Sequence, residues 1–275
     1  MEFDSKKKYE KLKEIIAKYD RVAVAFSGGV DSSLLLKAAS DVLGNEAIAI
    51  RVRSEVVPER EEKIAADFCK DNGIRCEIIN FRNLDIPGFK ENTSDRCYIC
   101  KSVLFRQIKE KAREFGIIHV FEGSIVDDLG DYRPGMRAVE ELGVKSPLKE
   151  AGFTKEDVRS VLRDMLLPVW SKPSFSCLAT RFAYGEEITE EKLKMVDGAE
   201  QFLFEKGFNQ CRVRVHGGGL ARIEVNQDAF EKLMADREEI VDRLKSLGFT
   251  YITMDAMGYR SGSMNEVLLA GEETE

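Results

Sequence analysis

The feature that most constrains this chain is the segment VAVAFSGGVDSS at residues 22–33. Its first five residues, 22–26, are continuously apolar, which is typical of a strand covered on both faces of a parallel sheet. A Ser-Gly-Gly turn ends this run, and a helical pattern extends from Ser32 to Gly44, a favoured residue just past a helix end. Glycines let backbone N–H groups approach a ligand, and a helix N-terminus favours negative charge. The segment therefore predicts an anion site. It lacks the lysine of GxxxxGK[ST], which argues against a Walker-type kinase or GTPase.

Strand and helix patterns alternate through the first half of the chain. An amphipathic helix over 5–19 precedes the first strand, a helix begins after Pro58, and another follows the Cys-x-x-Cys pair from about Lys101 to Gly116. Further strands are predicted at 47–52, 74–79 and 117–121. This alternation predicts an α/β fold with a doubly wound parallel sheet that binds its ligand at the carboxyl ends of the strands.

A smaller α+β unit is predicted at the C-terminal end. Helices around 135–142 and 154–166 and a loop over 168–185 precede it. Its predicted elements are a helix from 189 to 207, strands at 211–216, 221–225 and 251–254, and a helix over 228–247. We therefore predict a first domain over 1–187 and a second over 188–275, in keeping with the length of 275 residues.

Composition narrows the possible classes of function. The net charge of −7 argues against a large nucleic-acid surface. No run approaches the roughly 20 apolar residues of a membrane span, and the charged N-terminus has no signal-peptide pattern, so we expect a cytoplasmic protein. In that compartment the six cysteines are expected to be free thiols, metal ligands or redox groups rather than disulfides.

Two loops carry polar side chains of chemical interest. The segment after the strand at 117–121 contains Asp127, Asp128 and Arg133 at the predicted ligand edge. It reads equally as a solvated acidic loop or as a lining for nucleotide or substrate. The loop 168–185 contains Cys177 near Arg181, and a thiol beside an arginine in an exposed loop is expected to have a lowered pKa.

The other cysteines divide by context. Cys69 on a helix stripe and Cys76 in a strand are most simply small core residues. Cys97 and Cys100 form a Cys-x-x-Cys pair, which taken alone is compatible with zinc, redox or iron–sulfur roles.

The strand at 211–216 alternates, with Arg212, Arg214 and His216 on one face. Such arginines are often only a solvated face, but beside an ATP site they also suit a substrate phosphate.

Together these segments resemble known families. SGGVDSS resembles the PP-loop of the ATP pyrophosphatase superfamily. With GSIVDDLGDYRPGMRAVEELGVKSPL, KPSFSCLATR, YGEEIT, CRVRVHG and YRSGSMNE, the chain is similar to the LarE-type sulfur transferases, which act in making the nickel-pincer nucleotide cofactor of lactate racemase. The resemblance implies an ATP and pyrophosphate site formed by Ser27, Gly28, Gly29, Asp31, Ser32, Ser33 and Ser54. It also implies Asp31, Cys177 and Arg181 as catalytic residues, with Arg212 and Arg214 at the substrate phosphate.

The same resemblance implies a reaction. ATP with Mg²⁺ adenylates a carboxylate of a pyridinium mononucleotide, and a sulfur nucleophile then displaces AMP to leave a thiocarboxylate. In some members the cysteine matching Cys177 gives up its own sulfur. Because Cys97 and Cys100 accompany it here, the resemblance favours the subgroup in which three cysteines hold a 4Fe–4S cluster that carries sulfide. It also implies inorganic sulfide or another sulfur donor, a homo-oligomer, and Glu200 as a possible metal contact.

Two other functions remain open at this point. A tRNA thiolase shares PP-loop activation and cysteine-bound clusters, although the acidic net charge and the absence of zinc-ribbon cysteines speak against it. A non-catalytic nucleotide sensor would bind ATP without releasing pyrophosphate.

Overall fold

The computed structural model describes residues 3–130 and 134–266, and packing divides the chain into two compact units. The first unit comprises Met1–Asn83 and Cys97–Phe175, and the second comprises Leu84–Arg96 and Ser176–Glu275. By packing, residues 84–96 and 176–187 therefore belong with the C-terminal part of the chain. The division into functional domains at 187/188 stays a prediction.

The first unit contains a four-stranded parallel sheet with strand order β3-β2-β1-β4. Its strands are β1 (Val22–Ala25), β2 (Ala47–Arg53), β3 (Cys76–Asn80) and β4 (Val120–Phe121). The order reverses between β1 and β4, and such a switch point is where open α/β sheets bind ligands. The predicted α/β class is confirmed.

Seven helices surround this sheet within the described residues: α1 (Phe3–Ile16), α2 (Val30–Leu43), α3 (Glu59–Asp71), α4 (Arg96–Arg113), α5 (Pro134–Glu141), α6 (Pro147–Ala151) and α7 (Lys155–Asp164). Alternate residues of β1 face opposite layers. Val22 and Val24 belong to a core with α1, α2 and α7, whereas Ala23 belongs to a core with α4. The sheet is therefore covered on both faces, as the continuous apolar run predicts.

The second unit contains a three-stranded mixed sheet in the order β5-β6-β7. Its elements are α8 (Glu190–Glu205), β5 (Cys211–His216), β6 (Leu220–Val225), α9 (Phe230–Ala235), α10 (Arg237–Ser246) and β7 (Tyr251–Met254). Strands β5 and β6 pair antiparallel, and β7 pairs parallel to β6. Two-residue turns cannot join parallel strands, so α9 and α10 supply the crossover.

Some predicted boundaries are wrong. The strand predicted at 117–121 is only Val120–Phe121, and α4 begins at Arg96 rather than near Lys101. The helix predicted over 228–247 is broken at Asp236 into α9 and α10, and α6 was not predicted. In the described part of the chain, no helix combines the length and apolar character needed to cross a membrane.

Candidate functional site

The turn between β1 and α2 has the form of an anion-binding loop. Gly28 adopts φ +73°, and Gly29 is the N-cap of α2. The Ser27 and Ser32 hydroxyls lie 3.1 Å apart, and the Ser32 hydroxyl donates to the Gly29 carbonyl at 3.1 Å. These contacts fix the turn. The N–H groups at the N-terminus of α2, which have no partner within the helix, are then available to an anion bound at the turn.

Asp31 lies in the first turn of α2 and forms an ion pair with Lys155, the first residue of α7. Burial raises the pKa of the Asp31 carboxyl, and the Lys155 ammonium opposes that shift. The Asp31 Oδ1 and the Ser33 hydroxyl are both buried and lack a hydrogen-bond partner among the described residues. Unsatisfied buried oxygens are costly, and a bound cation or phosphate would satisfy them.

A second lysine, Lys172, also contacts the loop. The Lys172 ammonium donates to the Gly28 carbonyl at 2.8 Å and pairs with Glu61 of α3 at 2.6 Å. Both side chains of this pair are nearly buried. Helix α3 also approaches the loop directly, because a Cβ built on Gly28 would lie 2.7 Å from the Ala65 Cβ.

The segment after β4 packs against the start of α2. A Cβ on Gly123 would lie 3.0 Å from the Ser32 amide nitrogen. The Asp128 carboxylate accepts from the Ile125 N–H at 2.9 Å, and the Asp127 carboxylate accepts from the Lys155 N–H at 2.9 Å. Both aspartates therefore shape the loop beside the anion site. Arg133 lies outside the described residues.

Ser54 directly follows β2, the neighbour of β1 in the parallel sheet. The carboxyl ends of these strands lie at one edge, so Ser54 and the anion loop belong to the same edge of the first unit. There the Ser54 hydroxyl accepts from the Val56 N–H at 3.4 Å.

An open cavity of about 630 Å³ adjoins Lys155. Its lining consists of Asp127, Thr154, Lys155, Glu156, Arg159, Ser160, Arg163 and Trp170. The Arg159 guanidinium donates to the Trp170 and Lys172 carbonyls, and the Arg163 guanidinium lies 5.8 Å from the Trp170 ring centroid. Three basic side chains against two acidic ones favour an anionic ligand beside the loop.

Cys97 and Cys100 lie within the first two turns of α4 rather than ahead of it. Both are half-buried. The Asn83 side-chain amide, itself buried, donates to the Cys100 sulfur at 3.1 Å. Such a bond stabilises a thiolate, which is the form that binds metals.

Cys177 belongs to the second unit, at the start of a short 3-10 turn, Leu178–Arg181. The Arg181 side chain is fully buried and holds this turn from inside. It donates to the Cys177 carbonyl at 3.3 Å and to the Ser176 carbonyl at 3.0 Å, and it pairs with Glu200 of α8 at 2.8 and 3.0 Å. Its guanidinium therefore contacts the Cys177 backbone and fixes the position of that residue.

Of the two interpretations of Arg212 and Arg214, a solvated strand face is contradicted by their burial, and a role at the substrate phosphate stays a prediction. Both residues of β5 are buried, with 4% and 5% exposure. The Arg214 guanidinium pairs with Glu224 of β6 at 2.8 Å and donates to the Thr180 carbonyl at 3.0 Å. The Arg212 guanidinium lies over the Tyr259 ring at 5.3 Å. Burial, and then the charge of Arg181, lowers the pKa of Arg212, so an anion at this position would relieve an electrostatic cost.

Each unit thus gathers part of the predicted site. The first holds the serine-glycine loop, Asp31, Asp127 and Asp128, and the second holds Cys177, Arg181, Arg212 and Arg214. Over residues 3–130 and 134–266, no three His, Cys, Asp or Glu side chains are grouped as metal ligands.

Sequence reasoning missed Lys155, Lys172, Glu61 and Glu224. Lys172 lies in the KPSFSCLATR string and could have been noticed there. Lys155 is 124 residues from Asp31, and no local pattern connects them.

Comparisons with known proteins agree with this geometry. Residues 1–117 match the model of a PP-loop domain. The chain is 41% identical to the uncharacterized protein slr1717 of Synechocystis over 95% of this chain and 98% of the relative. It is 36% identical to the pyridinium-3,5-bisthiocarboxylic acid mononucleotide synthase of Lactiplantibacillus plantarum over 90% of both chains, and 30% identical to protein MJ0830 of Methanocaldococcus jannaschii over 89% of this chain and 92% of that one. The chain is therefore an ATP-binding PP-loop ATP pyrophosphatase and belongs to the LarE-like family that includes the L. plantarum synthase.

Proposed function

We propose that this protein is an ATP-dependent sulfur transferase that converts carboxylates of a pyridinium biscarboxylate mononucleotide into thiocarboxylates. The printed name of the L. plantarum relative gives the product class. The reaction has an adenylation step and a sulfur-transfer step. The adenylation step is supported by the buried Asp31 oxygen, which has no hydrogen-bond partner among the described residues and belongs to a carboxylate paired with Lys155 next to the serine-glycine loop.

The polyphosphate end of ATP would bind at this loop. The Ser33 hydroxyl and the N-terminal N–H groups of α2 suit phosphate oxygens, and Lys155 and Lys172, which both contact the loop, supply positive charge. The unsatisfied Asp31 Oδ1 fits a Mg²⁺ ligand, and Mg²⁺ when bound neutralises charge on the leaving pyrophosphate. Lys155 then exchanges its Asp31 partner for phosphate.

The chemistry consists of two displacements. A carboxylate oxygen of the substrate attacks the α-phosphorus of ATP, and pyrophosphate leaves with the bonding electrons. A sulfur nucleophile then attacks the acyl carbon, a C–S bond forms, and AMP leaves with the C–O electrons. Adenylation is needed because a carboxylate is a poor electrophile. The loop donors and lysines stabilise the charge that develops on pyrophosphate.

The second unit supplies the groups suited to the mononucleotide and the sulfur. Arg212 is buried over Tyr259, and we assign it to the substrate phosphate together with Arg214. Arg181 positions Cys177 through the Ser176–Thr180 turn. Cys177 is either a cluster ligand or the sulfur source itself.

We further propose that Cys97, Cys100 and Cys177 bind a 4Fe–4S cluster that carries the sulfide. The Cys-x-x-Cys pair on α4, with the Asn83 donor, suits one side of such a cluster. The third thiol belongs to the second unit. A cluster with three protein ligands has one iron that can carry an exchangeable sulfide.

The adenylating half is tested with Asp31→Ala. Protein, Mg²⁺-ATP, the pyridinium biscarboxylate mononucleotide and sulfide are incubated anaerobically, and pyrophosphate, AMP and the mass change of oxygen-to-sulfur exchange are measured. Wild-type protein should form all three, and Asp31→Ala should form none while remaining folded. Asp41→Ala removes another acid of α2, one paired with Lys37, and serves as the matched control. Pyrophosphate release by folded Asp31→Ala would remove Asp31 from the site.

The cluster is tested with the wild type and the six single Cys→Ala variants. Each protein is reconstituted anaerobically, and its iron, its acid-labile sulfide and the number of turnovers are measured. We expect the Cys97→Ala, Cys100→Ala and Cys177→Ala variants to lose iron and the other three variants to keep it. Full iron and turnover in Cys97→Ala and Cys100→Ala would contradict the cluster. A wild type that stops after one turnover with dehydroalanine at position 177 would make Cys177 the sacrificial sulfur source.

A further inference from the structure

Helix α7 carries a basic stripe, Lys155, Arg159 and Arg163, that begins at the serine-glycine loop. The three residues follow one another at intervals of four, so they lie on one face of the helix. At about 1.5 Å per residue the stripe extends roughly 12 Å along the helix axis. Lys155 and Arg159 are half-buried, whereas Arg163 is exposed. The stripe therefore leads from the loop toward solvent.

The inner end of the basic stripe interacts with the loop. The Lys155 ammonium forms an ion pair with Asp31, in the first turn of α2. Burial raises the pKa of Asp31, and the charges of Lys155 and, further away, Arg159 oppose that shift. Two members of the stripe thus act on the same carboxylate beside the loop.

The Arg159 side chain is held in place by neutral groups. Its guanidinium donates to the Trp170 carbonyl and to the Lys172 carbonyl, the latter at 2.8 Å. These bonds fix the guanidinium without cancelling its charge. Like charges one turn apart destabilise a helix, and an anion bound along the stripe would offset their repulsion.

The basic stripe lines the open cavity of about 630 Å³. This volume is within the roughly 300–1,000 Å³ typical of small-molecule pockets. Thr154 and Ser160 add hydroxyl groups to the lining. Of the two acids there, the Asp127 carboxylate already accepts from the Lys155 N–H at 2.9 Å, and Glu156 is exposed. The lining thus offers charged and neutral donors that suit phosphate oxygens.

We propose that this cavity is a second pyrophosphate site, which receives the pyrophosphate released at the serine-glycine loop. Neighbouring cations of the stripe are about 6 Å apart along the axis, so two linked phosphoryl groups can contact two of them at once. Pyrophosphate that stayed in the loop could attack the adenylate and reverse its formation, and transfer to the stripe separates the two. The source of the pyrophosphate rests on the proposed adenylation, whereas its binding in the cavity does not.

The sole tryptophan makes this cavity directly observable. Trp170 lies in the lining, so its emission reports on a ligand bound there. The full chain is first saturated, in Mg²⁺ buffer, with an ATP analogue whose α–β bridging oxygen is replaced by a methylene group. The analogue fills the loop and cannot release pyrophosphate. Pyrophosphate is then titrated while the Trp170 emission is recorded and calorimetry counts the bound equivalents.

We expect a saturable change in emission and one further equivalent of pyrophosphate per chain. Because the mononucleotide and sulfide are both absent, failure of the sulfur-transferase proposal would leave this result unchanged. Sulfate at matched ionic strength should change the emission much less, since a single tetrahedral anion contacts fewer of the cations.

Variants at the exposed end of the stripe test the assignment. Arg163→Gln should raise the Kd for pyrophosphate roughly 10-fold or more, as loss of a charge-assisted contact implies. Arg163→Lys keeps the charge and should raise the Kd less. Arg75→Gln is the matched control, because Arg75 is another exposed arginine of the first unit that lies over an aromatic ring, 4.4 Å from the Phe115 centroid. It should titrate as wild type.

Three results would overturn the proposal. If no pyrophosphate binds once the analogue fills the loop, this ligand is confined to the loop. An unchanged Kd in folded Arg163→Gln would show that the stripe does not bind pyrophosphate. Equal emission changes with sulfate and pyrophosphate would show only a general attraction of anions. Circular dichroism confirms the folding of each variant.

Discussion

Buried charge is concentrated around strand β5 and the turn that contains Cys177. Arg181 and Arg214 are each paired with a fully buried glutamate, Glu200 and Glu224 respectively. Burying a charge lowers stability unless the charge is paired. Removing one partner of a buried ion pair destabilises a protein more than replacing both partners with apolar residues. The pairs thus make the turn rigid, and they give Arg214 a structural role beside Glu224.

Arg212→Ala and Arg214→Ala should both weaken binding of the mononucleotide, and Arg214→Ala should also destabilise the fold. Arg212→Ala should raise the KM for the mononucleotide roughly 10- to 100-fold, as loss of a charge-assisted contact worth about 1.5–3 kcal/mol implies, with little effect on the KM for ATP. Arg214→Ala removes one partner of Glu224, which keeps Arg222 and Ser263, and should lower the free energy of unfolding by about 1–3 kcal/mol. Steady-state kinetics and urea unfolding measure the two effects. Equal changes in both KM values for Arg212→Ala would assign it to ATP phosphates.

Asp157 should make stability depend on acid pH. Its carboxylate accepts from Thr154, Ser5 and Lys8 and so joins α7 to α1. These bonds lower its pKa to about 2 despite burial, against about 3.9 in an unfolded chain. The ionised carboxylate is thus favoured by folding, and it should contribute about 2–3 kcal/mol above about pH 4 that is lost as pH falls toward about 2.

The measurement is urea unfolding of wild type and Asp157→Asn between those pH values. The difference in the free energy of unfolding should be largest at neutral pH and should shrink through the acid window. A difference that stays constant with pH would show that Asp157 acts through packing rather than through its charge.

At the level of elements, one stripe of α3 supports the anion loop. Glu61, Ala65 and Cys69 are its buried residues and lie four residues apart, on one helix face. Glu61 holds the lysine that reaches the Gly28 carbonyl, and Ala65 lies against Gly28 itself. The loop therefore depends on how closely this helix approaches.

Gly28→Ala should weaken ATP binding by displacing the loop from α3. The new Cβ would lie 2.7 Å from the Ala65 Cβ, at a backbone φ of +73° that disfavours side chains. Gly44→Ala is the matched control, because it has a similar positive φ of +58° with no atom within 4 Å. The control, whose backbone at φ +58° and ψ −129° also disfavours a side chain, should lose about 1–3 kcal/mol of stability and keep its ATP affinity, as calorimetry can show.

The double variant Gly28→Ala/Ala65→Gly should recover part of the lost ATP affinity, since it removes the clash but leaves the strain. If the Gly28→Ala and Gly44→Ala proteins bind ATP equally well, contact with α3 does not set the loop position.

The sequence allowed most of these elements to be predicted, because their signals are local. The apolar run of β1 and the glycine at its end are read directly, as is the helix that ends at Gly44. The start of α4 was missed although Thr93, Ser94 and Asp95, residue types favoured at helix caps, precede it. The break at Asp236 was missed because a continuous helical pattern hides a single capping residue.

Contacts between distant segments could not be predicted. Lys155 meets Asp31, and Glu224 meets Arg214, only after the sheets have formed. The burial of Arg212 and Arg214 depends likewise on β6 and the Cys177 turn, whereas strand alternation alone places them on one face without saying what covers it. The site residues were therefore recognised by resemblance, and their partners only from the structure.

At the scale of the whole molecule, the second unit is assembled from two separate stretches of chain. Asn92, in Leu84–Arg96, is fully buried, and its amide donates to the Ala183 carbonyl at 2.6 Å. The Ile188 N–H donates to the Lys90 carbonyl, and Arg96 donates to the Ala179 carbonyl at 2.9 Å. These bonds attach the early stretch to the loop that contains Cys177.

Asn92→Ala should loosen this attachment. Asn92 has φ +52°, so alanine loses the amide bonds and also suffers backbone strain, and about 2–4 kcal/mol of stability should be lost. Asn92→Gly loses only the amide hydrogen bonds, because glycine tolerates a positive φ, and it should therefore lose less stability than Asn92→Ala. Guanidinium unfolding followed by circular dichroism compares the two. Equal stability of Asn92→Ala and wild type would show that these bonds do not hold the stretch in place.

The divided second unit has a consequence for synthesis on the ribosome. Residues 84–96 include Leu84, Ile86 and Phe89, which are buried in the finished protein. Their hydrogen-bonding partners lie beyond residues 97–175, all of which must be translated first. At about 5–20 residues per second this delay is roughly 4 to 16 seconds, far longer than a hydrophobic segment needs to collapse. During that interval the nascent chain carries an apolar segment without its partners, which is the kind of surface that chaperones bind.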